Sequence, residues 1–178
     1  MLNTLNNNYA LTSFSPERAQ KAIEQLSSLL RHILYENERS EISINDEIDF
    51  IGNYISLMRL RVTNNVDIDF VTDIPKDCNT MIAPMIFISL VENAFKHGIS
   101  PTKPSFIHIS ISVSNNTVKC LIKNSNYPKL ENDKSGHGIG LKQVGRRLEL
   151  AYSGRYKWIK GVSEDKTTYT SEIVICSK

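Results

Sequence analysis

The chain has 178 residues, with 21 lysines and arginines against 19 aspartates and glutamates, a formal charge of +2, and it is 40% hydrophobic. That composition suits one folded domain, alone or with a helical appendage, and is too apolar for a disordered tail. The charge balance excludes polyanion binding through bulk charge, while Cys78, Cys120 and Cys176, widely spaced and with no Cys-x-x-Cys pair, argue against a disulfide framework or a zinc site and for a reducing compartment.

Residues 17–35 read as a helix, with Ser15 as N-cap, Pro16 at the first helical position, and apolar residues at Ala19, Ile23, Leu26, Leu30 and Ile33. A second helix is expected from Asp46 to about Arg61, capped near Ser43 or Asn45, with a stripe at Ile48, Ile51, Ile55, Met58 and Val62. Steps of three and four residues suit an ordinary helical hairpin or an intersubunit bundle equally. Val66 to Val71 alternates as a half-buried strand, and Thr72 to Asn79 is a loop. The longest apolar run, Met81 to Val91, is broken by Pro84 and Ser89 and falls short of a bilayer span. The asparagine-rich start is no signal peptide, so the chain reads as soluble, or as the soluble piece of a longer membrane protein. Residues 84–97 are expected to form a helix, with Pro84 in its first turn and Gly98 just past its end. Strands are expected at Phe106 to Ser112 and Thr117 to Ile122, joined through Asn115-Asn116. After a strand-free stretch over 123–135 comes a helix from Leu141 to Ala151, striped by Leu141, Val144, Leu148 and Ala151. Two further strands close the chain, Tyr156 to Val162 and Tyr169 to Cys176. This order predicts an α+β fold, helices layered on a mostly antiparallel sheet.

Two segments carry chemistry. On the apolar helix 84–97, Ser89, Glu92, Asn93 and Lys96 form one polar stripe, with His97 four residues after Asn93. The stripe is either a solvated face or the lining of a polar site, since a carboxylate, an amide and an ammonium are costly to bury without a partner. The second segment is Gly136-His137-Gly138-Ile139-Gly140-Leu141, where four of the eight glycines fall between 136 and 145. Glycines admit close backbone approach, and the helix that follows points amides at an anion, with Lys142, Arg146 and Arg147 nearby. A flexible loop leading into a surface helix is the plainer alternative. No Gly-x4-Gly-Lys-Ser/Thr is present, and the Rossmann spacing is absent.

The order of these segments resembles the Bergerat ATP-binding fold, a two-layer α/β sandwich. Val91-Glu92-Asn93-Ala94-Phe95-Lys96-His97-Gly98 resembles the N box of sensor histidine kinases, and Gly136 to Leu141 their second glycine box. Leu29-Leu30-Arg31, Tyr54 with Arg59 and Arg61, Ala83-Pro84-Met85 and Arg147-Leu148-Glu149-Leu150 narrow the likeness to LytS-like (autolysis-regulator type) sensor histidine kinases.

The resemblance implies a helical dimerisation segment over residues 1–40 and an ATP-binding catalytic domain over 41–178. It implies ATP and magnesium, with Asn93 as the magnesium ligand, Lys96 on phosphate, His97 on phosphate or ribose, and Glu92 orienting the reacting group. Gly136, Gly138 and Gly140, with Ile139 and Leu141 in the same box, would cradle phosphate and hinge a lid over roughly Tyr127 to Ser135. Asn124-Ser125-Asn126 stands where the family has Asp-x-Gly, so Asn124 would take the adenine amine through a neutral hydrogen bond of about 0.5–1.5 kcal/mol instead of about 1.5–3. Thr170 or Thr168 would support the base. Ser89 replaces the base of related hydrolytic enzymes, against efficient ATP hydrolysis. None of His32, His97, His108 and His137 matches the acceptor histidine, which the likeness places just before residue 1. Further implications are a homodimer, a response-regulator partner of the LytTR type, and a place as the cytoplasmic portion of a membrane sensor. The alternative is a dimerising nucleotide-binding module with little catalysis.

Overall fold

In the computed structural model the described residues are 20, 23, 24, 26, 27, 29, 39–127 and 139–177, the backbone alone at 139. Of the expected first helix, Gln20, Ile23, Glu24, Leu26, Ser27 and Leu29 are helical, with Leu29 buried and Ile23 exposed; the rest lies outside the described residues. Strand β1 (Ile42–Ser43) leads directly into helix α1 (Ile44–Arg59). Ser43 is extended and its hydroxyl accepts from the Asp46 amide at 3.0 Å, which makes Ser43, not Asn45, the cap. Asp46 and Glu47 in the first turn and Arg59 in the last complement the helix dipole.

The main sheet has the order β2 (Val66–Asp73), β4 (Ser105–Ser114), β5 (Thr117–Ser125), β7 (Thr168–Cys176), β6 (Tyr156–Val162). Between β2 and β4 the chain makes a short strand β3 (Met81–Ile82), antiparallel to β1, and helix α2 (Ile88–His97). That crossover is why β2 and β4 run parallel while the other pairs are antiparallel. Asn115 and Asn116, at φ 47° and 59°, supply the left-handed pair of a tight β4–β5 hairpin. Strict alternation buries one sheet face: Ile107, Ile109, Ile111 and Val113 of β4, Val118, Cys120, Ile122 and Asn124 of β5, and Ser171, Ile173 and Ile175 of β7. Ile51 and Ile55 of α1, Val91 and Ala94 of α2, and Val144 and Leu148 of helix α3 (Ile139–Tyr152) complete the same core. The result is the expected α+β sandwich, helices on one face of a mixed, mostly antiparallel sheet.

The structure corrects several boundaries. Residues 84–87 are outside the helix, which starts at Ile88, because Met85 sits at φ 56°, a left-handed conformation no α-helix accommodates. Strand β5 continues to Ser125 because Asn124 and Ser125 pair with Tyr169 and Thr168. Helix α3 starts at Ile139, so Gly140 lies in its first turn instead of preceding it. At the other end Ala151 is exposed, and Tyr152 completes the buried stripe. The apolar face of α1 is centred on Ile44, Phe50, Ile51, Ile55 and Leu57 and is used inside this domain; Ile48 and Met58 are only partly buried. Among the described residues no helix is long and apolar enough to cross a membrane.

Candidate nucleotide site

Helix α2 buries Ile88, Leu90, Val91, Ala94 and Phe95 in the core, and the helical period turns its polar residues the other way. There they meet the start of α3. Ser89, Glu92, Asn93, Lys96 and His97 line a cleft of about 180 Å³ together with Gly140 and Leu141. Two segments more than 40 positions apart in sequence are thereby joined into one polar site. A larger cleft of about 360 Å³, lined by Glu41, Asn79, Thr80, Met81, Asn116, Tyr152, Arg155 and Ser177, contains none of the expected site residues.

Within the site, Glu92 has its carboxyl pushed up by desolvation. Its charge in turn helps raise the phenol of Tyr54 on α1, where burial is the larger cause. Tyr54 stands edge-on to Phe95, ring centroids 5.8 Å apart, so α1 closes one flank of α2. Among the described residues a side chain at Gly140 would meet nothing within 4 Å, so this position in the first turn of α3 leaves room beside it.

Asn124 lies on the helix-covered face of β5, 1% exposed. Its amide nitrogen donates to the Ser125 carbonyl at 2.8 Å, while its Oδ1 is buried with no hydrogen-bond partner among the described residues. An orphaned buried acceptor of this kind costs about 1–3 kcal/mol unless a ligand donates to it. Gly98 closes over Asn124: a Cβ there would come within 2.6 Å of the Ala94 carbonyl oxygen and 2.8 Å of the Asn124 Cβ. Close approach, not a special backbone angle, demands glycine here, since φ is −91°.

The structure does not bring Thr170 to this site. Thr170 is in register with Lys123, whereas Asn124 is in register with Tyr169, and successive strand residues face opposite ways. Thr168 faces Ser125 in the same ladder. The side chain beside Asn124 is therefore Tyr169, half-buried, its phenol raised by desolvation. Asn126 has an ordinary backbone and is tied to the β6–β7 turn, its amide donating to the Thr167 carbonyl at 2.7 Å and its side chain to the Lys166 carbonyl at 2.9 Å. Gly136, Gly138 and the span 128–135 of the expected lid lie outside the described residues, as does the side chain of Ile139.

Sequence reasoning missed Glu47. It is 0% exposed, and its two carboxylate oxygens accept the amides of Met85 at 2.8 Å and Phe87 at 3.1 Å. Burial pushes its carboxyl up to about 7 against the pull of those amides and of Arg147. The missed signal is the stripe Ile44, Glu47, Ile51, Ile55, which puts an acid at a core position.

Comparison with known proteins agrees with this architecture. Residues 1–66 match the family described as Histidine kinase. The chain is 29% identical over 161 residues to the sensor histidine kinase YpdA of Escherichia coli (strain K12), covering 85% of this chain and 28% of YpdA. It is 30% identical over 98 residues to the sensor protein kinase HptS of Staphylococcus aureus (strain USA300), covering 55% of this chain and 18% of HptS. The chain thus spans less than a third of either relative. Among solved structures, the histidine kinase domain of the blue-light activated histidine kinase EL346 of Erythrobacter litoralis superposes with TM-score 0.56 at 12% identity, covering 93% of this chain and 82% of that one. The fold is that of a histidine kinase domain, the Bergerat-type sandwich. The chain is related to the sensor histidine kinases.

Proposed function

We propose that residues 41–178 bind magnesium-ATP and form the catalytic core of a two-component sensor kinase, which transfers the γ-phosphate to a histidine upstream of residue 1. Residues 1–40 serve as the dimerisation segment. The observation that carries this reading is the single cleft shared by Asn93, Lys96 and His97 of α2 and Gly140 and Leu141 of α3. The site fits the nucleotide on two counts. The Asn124 Oδ1 is a buried acceptor with no donor among the described residues, and an exocyclic amine would supply one. The Asn93 amide oxygen is a hard ligand of the kind magnesium takes alongside water and phosphate oxygens. Bound magnesium would neutralise charge on the phosphates.

The chain's own residues divide the remaining work. Lys96 is an exposed point charge for phosphate, and His97 beside it contacts phosphate or ribose. Gly140, with Gly136 and Gly138, offers backbone amides to the phosphate chain at the start of α3. Glu92, held partly desolvated, orients the acceptor group. Ser89 supplies no base for water, which favours transfer over hydrolysis. Phosphoryl transfer asks chiefly for such positioning and charge neutralisation. The homodimer, a response-regulator partner with a LytTR-type output, and a cytoplasmic location beside a membrane sensor belong to the same proposal.

Calorimetric titration with magnesium-ATP tests it. The chain is expected to bind, and Asn93→Ala to lose the magnesium-dependent part of the heat with its fold intact. Equal heats from the two proteins would sink the assignment of Asn93. No heat at millimolar nucleotide would leave a signalling module without the kinase step.

A further inference from the structure

Helix α2 has no cap of its own. Its N-cap residue is Phe87, which offers no side-chain hydrogen bond, and its first turn holds no acidic residue. Helices leave their first amides unsatisfied and attract an anion at that end. The anion at this end comes from another element: Glu47 of α1 accepts the amides of Phe87, the N-cap residue, and of Met85 two residues before it, one on each oxygen. Met85 is held from a second side as well, because Arg147 of α3 donates to its carbonyl at 3.1 Å. A third hold comes from Tyr152 of α3, whose hydroxyl accepts the Ala83 amide at 2.6 Å. The left-handed turn at Met85 is thus fixed by α1 and α3 together.

We propose that Glu47 is a positioning residue of the nucleotide site. From α1 it caps the helix that carries Asn93, and through Met85 and Arg147 it sets that helix against the one that carries Gly140. This rests on the reading of the cleft as a nucleotide site. It adds that α1, the helix that follows the dimerisation segment, is the element that holds the site's two walls in register. A rotation or shift of α1 would withdraw the carboxylate from the Met85 and Phe87 amides and release α2 from α3.

Two arms test it on the full chain at about pH 8, where the carboxylate form prevails. The first uses no nucleotide and reads amide hydrogen exchange and amide proton shifts in wild type, Glu47→Gln and Arg147→Met. Glutamine keeps the shape but turns a donor toward one of the two amides. Glu47→Gln is expected to speed exchange at least tenfold over residues 85–91 and to move the Met85 and Phe87 amide protons upfield, with β4 and β5 unchanged. Arg147→Met, a surface change, is expected to give a smaller effect on the same residues. Uniform acceleration across the sheet, or no change over 85–91, in both variants would overturn the proposal. The second arm measures magnesium-ADP affinity, which both variants should weaken several-fold with unchanged far-ultraviolet circular dichroism. Undiminished affinity despite faster local exchange would also overturn it. If wild type binds no nucleotide, the reading of the cleft fails, and the exchange arm still decides whether Glu47 holds α2.

Discussion

At the scale of single residues, the site depends on two groups whose burial imposes a definite chemistry. Gly98 packs so tightly on Asn124 and the Ala94 carbonyl that a methyl group has no room. Gly98→Ala is expected to destabilise the fold by about 1–3 kcal/mol, because rigid backbone, not a flexible side chain, must yield. Urea unfolding of the two proteins measures this, and equal midpoints would show that the end of α2 adapts freely. Glu47 makes a prediction in pH. Its folded carboxyl titrates at about 7 against 4.5 when exposed, so between these values the folded chain keeps a proton that the unfolded chain has released. Its contribution is therefore full below about 4.5, declines as pH rises to about 7, and is level above, a change of about 3 kcal/mol over the window. The ionisable groups facing it are Arg147 and Tyr152 of α3 and Cys120 of β5. Glu47→Gln should flatten that part of the profile in urea unfolding at a series of pH values, and parallel profiles would refute it.

At the scale of elements, the three helices are specified in different ways. Helix α1 carries its own start signal, the Ser43 hydroxyl on the Asp46 amide, with acids following. Ser43→Ala is expected to cost about 1 kcal/mol, seen as a lower thermal midpoint, and Ser43→Asp to restore it. An unchanged midpoint in Ser43→Ala would mean that the β1–β3 pairing alone fixes the start of α1. Helix α2 has no local start signal, which is why its expected beginning at residue 84 was wrong: the cap lies on α1, 40 positions away in sequence. The expected stripe of α3 needed only its last position moved, from Ala151 to Tyr152. Among the strands, alternation alone identified β4 and β7 to within two residues, but β5 ran past its apolar part because β7 supplied partners for Asn124 and Ser125.

At the scale of the whole molecule, the helices cover one face of the sheet, and Ile44, Phe50, Ile51, Ile55 and Leu57 of α1 are buried in that core. The proposal assigns dimerisation to the segment before residue 40. Deleting residues 1–38 is expected to give a monomer by light scattering in which the amides of β4, β5 and β7 stay protected, while the full chain is a dimer. A full-length monomer at high concentration would remove the homodimer from the proposal.

Periodicity, turn residues and motif order by themselves determined the α+β class, most strands, the three helices and the pairing of the helix that carries Asn93 with the one that carries Gly140. These are local patterns, legible because helix and strand place side chains at fixed periods along one segment. Only the tertiary structure decided the rest. It set Tyr169, not Thr170, beside Asn124, because strand register fixes which face each residue takes. It left the Asn124 Oδ1 without a donor among the described residues, closed Gly98 against Asn124, and brought the Glu47 carboxylate to amides 38 and 40 positions away. Each of these rests on contact between segments distant in the chain, where burial and hydrogen-bond geometry, not local propensity, choose the outcome.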